Sequence, residues 1–161
     1  MPELDRLPRD LEKLLSGEAF AARHRLVLPI LTIDPEGFPR AALLTVAEVR
    51  ALSRTLLAVA VHTASRTAAN LIRRQKAALY YLARNSVIWI QATAGRGRTC
   101  DADPDRQMFP LEVFRVKVDR PGPGEGMISL VAGPALAARH ARRLFSGELF
   151  AELETCGTAS P

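Results

Sequence analysis

The sequence predicts a mainly β protein: a small antiparallel barrel or closed sheet with helices at its flanks. Short runs rich in β-branched and aromatic residues recur at close spacing, and turn-forming residues separate them. They do not alternate with helices in a βαβ pattern; one helical stretch follows the third run, and helical periodicity is otherwise confined to the two ends. The length, 161 residues, suits one domain able to bury a core without staples.

In order along the chain, Leu7, Leu11, Leu14 and Leu15 fall at helical spacing, which predicts a helix over 8–15 with Gly17 as its stop. Residues 25–33 read as a strand, and Pro29 within it argues for an edge or a bulge. Asp34-Pro35-Glu36-Gly37-Phe38-Pro39 is a turn by composition, and 40–46 is the return strand of a hairpin. Residues 46–54 read as a connection, and 55–61 (Thr-Leu-Leu-Ala-Val-Ala-Val) as a buried strand. Further strands are expected at 76–82 and 87–93, followed by a polar loop over 95–107. In 111–119 strict alternation would set Phe114, Val116 and Val118 on one face against Val113, Arg115 and Lys117. A Pro/Gly-rich turn at 122–126 leads to a strand at 127–132. Helices are expected at 134–145, with Pro134 in its first turn, and at 148–154, with Ser146 as its cap.

The stretch from His62 to Gln75 is the most informative. The apolar strand period ends at Val61, and Ala68, Leu71, Ile72 and Gln75 then share one face of a helix. Ser65 or Thr63 is placed to cap it. A helix N-terminus presents unpaired N–H groups and the positive end of a dipole; Ser65, Arg66 and Thr67 add two hydroxyls and a guanidinium, which suits a phosphate. No Gly-rich loop is present, so a Walker loop and a dinucleotide fingerprint are both excluded.

Taken together, the 34–40 turn, the strands on either side of it, the His62-Thr63-Ala64-Ser65-Arg66-Thr67 segment and the basic helix end resemble the FMN-binding split barrel of the pyridoxamine 5'-phosphate oxidase superfamily. The resemblance covers roughly residues 25–132. It implies a six-stranded antiparallel split β-barrel of Greek-key type, a single domain, and a homodimer with flavin sites between subunits. It also implies FMN as cofactor, with the deazaflavin F420 or haem as alternatives used by related barrels. In the family a Ser-Arg-Lys triplet at the helix start grips the phosphate; here it stands as Ser65, Arg66 and Thr67. A basic residue opens the family's second strand, and a lysine often follows five residues later; here Arg40 and Thr45 occupy those places. His62 and Thr63 fall where the strand end meets flavin and phosphate. The expected cofactor-binding set is therefore Arg40, Thr45, His62, Thr63, Ser65, Arg66 and Thr67. The expected activity is hydride transfer at the flavin on a small molecule, and a non-catalytic flavin- or haem-binding module is the alternative. The C-terminal strand that helps the true oxidases hold pyridoxal phosphate has no counterpart, so that reaction is not expected.

Other classes fare worse. The net charge of +5 is scattered along the chain without interleaved aromatics, which argues against nucleic acid. No apolar run reaches membrane-spanning length and the first residues lack a signal-peptide pattern, so a cytoplasmic protein is expected. Asp101, Asp103, Asp105 and Glu112 are spaced like a calcium loop, but Arg106 stands where that loop needs Gly. Cys100 and Cys156 lack metal or redox spacing, and His24, His62 and His140 are too dispersed for a metal site or a triad. Asn70 is expected to be a structural hydrogen-bonder, and Trp89 a core or interface residue.

Overall fold

The structure, a computed structural model, describes residues 3–17, 26–83, 86–122 and 147–157. In chain order these form β1 (Glu3–Leu4), α1 (Arg9–Ser16), β2 (Val27–Ile33), β3 (Pro39–Thr45), a 3-10 turn (Val46–Glu48), β4 (Val49–Ala51) and β5 (Leu56–His62). There follow α2 (Arg66–Arg74), β6 (Lys76–Ala83), β7 (Ser86–Ala94), β8 (Arg98–Thr99), β9 (Arg106–Asp119), α3 (Glu148–Leu153) and a closing 3-10 turn (Glu154–Gly157). The expected strand at 127–132, the helix at 134–145, His24, His140 and Ser146 lie outside the described residues.

The strands form one curled antiparallel sheet in the order β3-β2-β6-β7-β9-β5-β4, with β1 and β8 also paired to β9. The resemblance implies a six-stranded barrel; among the described residues the sheet has nine strands. Besides β1 at the N-terminus, the additions lie in segments whose sequence reads as connection. The 46–54 segment holds β4, where Val49 pairs with Val59, and the 95–107 segment holds β8 and the start of β9. Such short pieces carry no readable period, and only their ladder partners make them strands. β9, at 14 residues, is the spine: its first half pairs with β5 and β8, its second with β7 and β1.

A bulge in β9 corrects the alternation expected there. Gln91 pairs with Arg115 and Ala92 with Val113, so Phe114 is the extra residue and the inward phase shifts by one. Val113, Val116 and Val118 are buried, whereas Phe114 is 64% exposed on the outer face. Pro29 is accommodated because β2 pairs with β6 only from Ile30 onward, leaving the strand an edge at that point.

Local signals account for the remaining elements. Gly17 ends α1 at φ 102°, a conformation that penalises a Cβ, and Leu7, Leu11, Leu14 and Leu15 pack beneath that helix. Gly37 (φ 92°) turns the β2–β3 hairpin, in which the Phe38 amide donates to Asp34 Oδ1 at 2.7 Å. β5 is buried on both faces: Leu57, Val59 and Val61 face the barrel, while Ala58 and Ala60 face a second core of Cys100, Met108, Leu149, Phe150, Leu153 and Cys156. That explains a continuous apolar run in an antiparallel sheet, with alanines on the side where α3 packs close.

In α2 the buried face is Thr67, Ala68, Asn70 and Leu71. Ile72, expected on it, is 60% exposed, and Gln75 is the left-handed C-cap rather than a core residue. The buried face is the one that carries Asn70, which has its partner on β2. Its amide donates to Thr32 Oγ1 at 3.0 Å with both residues buried, the structural role expected of it.

Candidate functional site

The turn between β5 and α2 is built as its sequence suggests. The Ser65 amide donates to the His62 carbonyl at 2.9 Å, and Ser65 Oγ accepts from the Ala68 amide at 3.1 Å, the N-cap bond. The Thr63 amide donates to the Asp105 carbonyl at 2.8 Å and so pins the turn to the loop before β9. His62, Thr63 and Arg66 are exposed around this N-terminus. Thr67 is buried against the barrel and does not join that exposed set.

Arg40 is linked to the same region through the sheet. It lies directly opposite Thr32 in the β2–β3 ladder, and residues opposite one another share a face. Thr32 is the residue that Asn70 grips, and Arg66 precedes Asn70 by one helical turn on the same side of α2. Arg40, by ladder register, and Arg66, by helical spacing, are thus each one step along the backbone lattice from the buried Thr32–Asn70 contact. Thr45 ends β3, five residues on and about 17 Å from Arg40 along the strand, and connects to His62 through Glu48 and Arg106. It is buried, its amide donating to Glu48 Oε2 at 2.7 Å and its hydroxyl at 3.0 Å.

Beneath the turn lies an ionic cluster that periodicity does not reveal. Arg106 opens β9 opposite His62, its side chain only 5% exposed. It forms an ion pair with Glu48, whose side chain is 9% exposed, and another from Nε to Asp103 Oδ2 at 3.2 Å. Its remaining terminal nitrogen lies 3.5 Å from His62 Nε2. Glu48 therefore collects Arg106 together with both Thr45 donors, which satisfies a nearly buried carboxylate. The Asp103 carboxylate, one of the calcium-loop candidates, is turned to Arg106. Two spacings hinted at this cluster: Thr45-x-x-Glu48 matches a capping box, and Asp103-x-x-Arg106 places opposite charges three apart. Neither discloses that the two pieces meet.

The loop leading to Arg106 is held from its far side by α3. Glu152 accepts from the Asp101 and Ala102 amides, each at 2.6 Å, and from the Cys100 thiol at 2.8 Å, with Arg98 3.9 Å away. Burial pushes the Glu152 carboxyl up, but these donors and the Arg98 charge outweigh it and hold the group below the usual glutamate value. Burial, and then the same carboxylate, raise the Cys100 thiol to about 11; burial raises Cys156 to about 11 as well.

On the outer face of β2, β6 and β7 a cavity of about 510 Å³ is lined by Leu31, Ile33, Lys76, Gln91, Thr93 and Phe114. Tyr80 and Trp89 stack edge to face beside each other on this sheet at 4.4 Å, and Leu43 is also exposed. No helix among the described residues is long and apolar enough to cross a membrane.

No family model matches the chain. A Bacillus subtilis (strain 168) protein, the uncharacterized YclD, is 27% identical over 110 residues, covering 68% of this chain and 71% of YclD. Among solved structures, a Lactobacillus delbrueckii protein provisionally assigned as a pyridoxamine 5'-phosphate oxidase superposes with a TM-score of 0.57 at 18% identity, over 73% of this chain and 99% of its own. An FMN-binding protein of Syntrophomonas wolfei gives a TM-score of 0.50 at 12% identity, over 68% and 88% of the two chains. In fold, the chain is similar to these proteins, sharing with them a mostly β split-barrel architecture.

Proposed function

We propose that the chain binds FMN, with the phosphate at the N-terminus of α2, and serves as a flavin-dependent oxidoreductase acting on a small molecule. What supports this reading is Arg66 at the capped start of α2, one helical turn before Asn70, together with Arg40 paired opposite Thr32, which Asn70 bonds. The donor set fits an anion: two guanidiniums, the first-turn amides and the Thr63 hydroxyl contribute no competing carboxylate. Bound FMN would supply hydride acceptance and donation, while the protein would hold and orient it. The kinship in fold with the Syntrophomonas wolfei protein supports a flavin over an unrelated anion.

A homodimer belongs to the same reading. Leu31, Ile33, Leu43, Trp89 and Phe114 make the outer sheet face apolar, and an exposed apolar face of this kind fits a two-fold contact. Sedimentation is expected to give a dimer that Phe114→Glu weakens.

The deciding experiment titrates the purified protein with FMN, riboflavin and F420 by quenching of flavin fluorescence. FMN should bind about tenfold to a hundredfold more tightly than riboflavin, the equivalent of hydrogen bonds to a charged group. Arg66→Ala should remove most of that difference. Equal affinity for FMN and riboflavin would refute the phosphate site, and a preference for F420 would replace the cofactor. Bleaching of the bound flavin by NADH or NADPH would support the oxidoreductase over a non-catalytic module.

A further inference from the structure

We infer that Arg106 locks His62 in the Nδ1–H tautomer, so that His62 offers a fixed hydrogen-bond donor at the mouth beside α2. The argument rests on what each group can do. A guanidinium has only donors, so the 3.5 Å contact between Arg106 and His62 Nε2 requires that nitrogen to be the acceptor. In the neutral ring the proton then sits on Nδ1, so the nitrogen away from Arg106 is the N–H of this exposed residue. Arg106 is not free to turn away. Glu48 and Asp103 hold its other nitrogens in a nearly buried site. The 100–105 loop that carries Asp103 is in turn fixed by Glu152 of α3 and by the Thr63 amide on Asp105. Arg106 is thus a positioning residue for His62, reaching from the sheet floor to the edge of the turn.

The ligand group such a donor takes is an acceptor: a carbonyl, a deprotonated ring nitrogen or a phosphate oxygen. Assigning it to an acceptor of the flavin rests on the FMN reading above, but the tautomer does not.

The test has two arms. Long-range ¹H–¹⁵N correlation on labelled protein, about two units above the ordinary histidine pKa, reports which ring nitrogen carries the proton. His62 is assigned by the signal lost in His62→Asn. A bare Nε2 and a protonated Nδ1 are expected. A dominant Nε2–H form would overturn the inference. This arm uses the wild-type protein, so it stands even where removing Arg106 unfolds the chain. In the second arm, His62→Asn places an amide N–H near the Nδ1 position and His62→Gln near that of Nε2. FMN affinity should hold within about threefold in His62→Asn and fall about tenfold in His62→Gln, one neutral hydrogen bond. Equal affinities in the two variants would overturn the donor's role toward FMN. An Nδ1–H ring in a wild-type protein that binds no FMN would leave the tautomer standing and refute the cofactor.

Discussion

Removing the Arg106 cation tests how the ionic cluster is stabilised. In Arg106→Met the side-chain volume is kept while the charge goes, leaving Glu48 as an ionised group only 9% exposed. Breaking a buried pair from one side costs about 3–5 kcal/mol, because the remaining charge is desolvated without compensation. The Thr45 amide and hydroxyl still donate to that carboxylate, which places the expected loss near the lower end, about 3 kcal/mol. The informative comparison adds Glu48→Gln. On its own it should cost about 1–2 kcal/mol, since Arg106 retains Asp103 and the side-chain amide oxygen of the variant still accepts from Thr45. In the Arg106→Met background the same change removes the uncompensated charge and should stabilise, by about 2 kcal/mol. The sign of one substitution therefore reverses with its partner. Urea unfolding of all four proteins at one fixed protein concentration gives the cycle, read from midpoints at constant slope. If Glu48→Gln destabilises both backgrounds equally, the two residues are not coupled and the cluster does not work through charge compensation.

Three further outcomes follow from the same structure. Leu71, fully buried on α2, should cost about 2–5 kcal/mol as Leu71→Ala, and Ser65→Ala about 1 kcal/mol for the lost cap; both are measured by urea unfolding. Cys100 and Cys156, with thiols raised to about 11, should resist iodoacetamide in the native protein at neutral pH and react once it is unfolded. Glu152 is held below its ordinary value of 4.5, so the stability it contributes is complete above that value and lost as pH falls through the lower folded one. The Asp101 and Ala102 amide shifts should therefore titrate with a midpoint below 4.5, and a midpoint above it would contradict the bonding described.

What the sequence determined by itself is what short-range chemistry decides. The β2–β3 hairpin follows from Asp34 and Gly37, α1 from its leucine spacing and Gly17, and the β5–turn–α2 unit from an apolar period that changes beyond Val61 and a serine able to cap. Each of these depends on residues within a few positions of one another, so the signal lies within a short window. The Arg66 end of the candidate site was legible for the same reason. The tertiary structure alone decided which face of α2 turns inward, because Asn70 answers to Thr32 across 38 positions, and Ile72 is left outside as a result. It alone placed the β9 bulge, which exchanges Val113 for Phe114, since a bulge exists only relative to the paired strand. It separated Thr45 from Arg40, because a strand carries residues five apart to different ends of the sheet. And it assembled Glu48, Asp103, Arg106 and His62, drawn from three segments, since buried charges must find partners wherever the sheet delivers them.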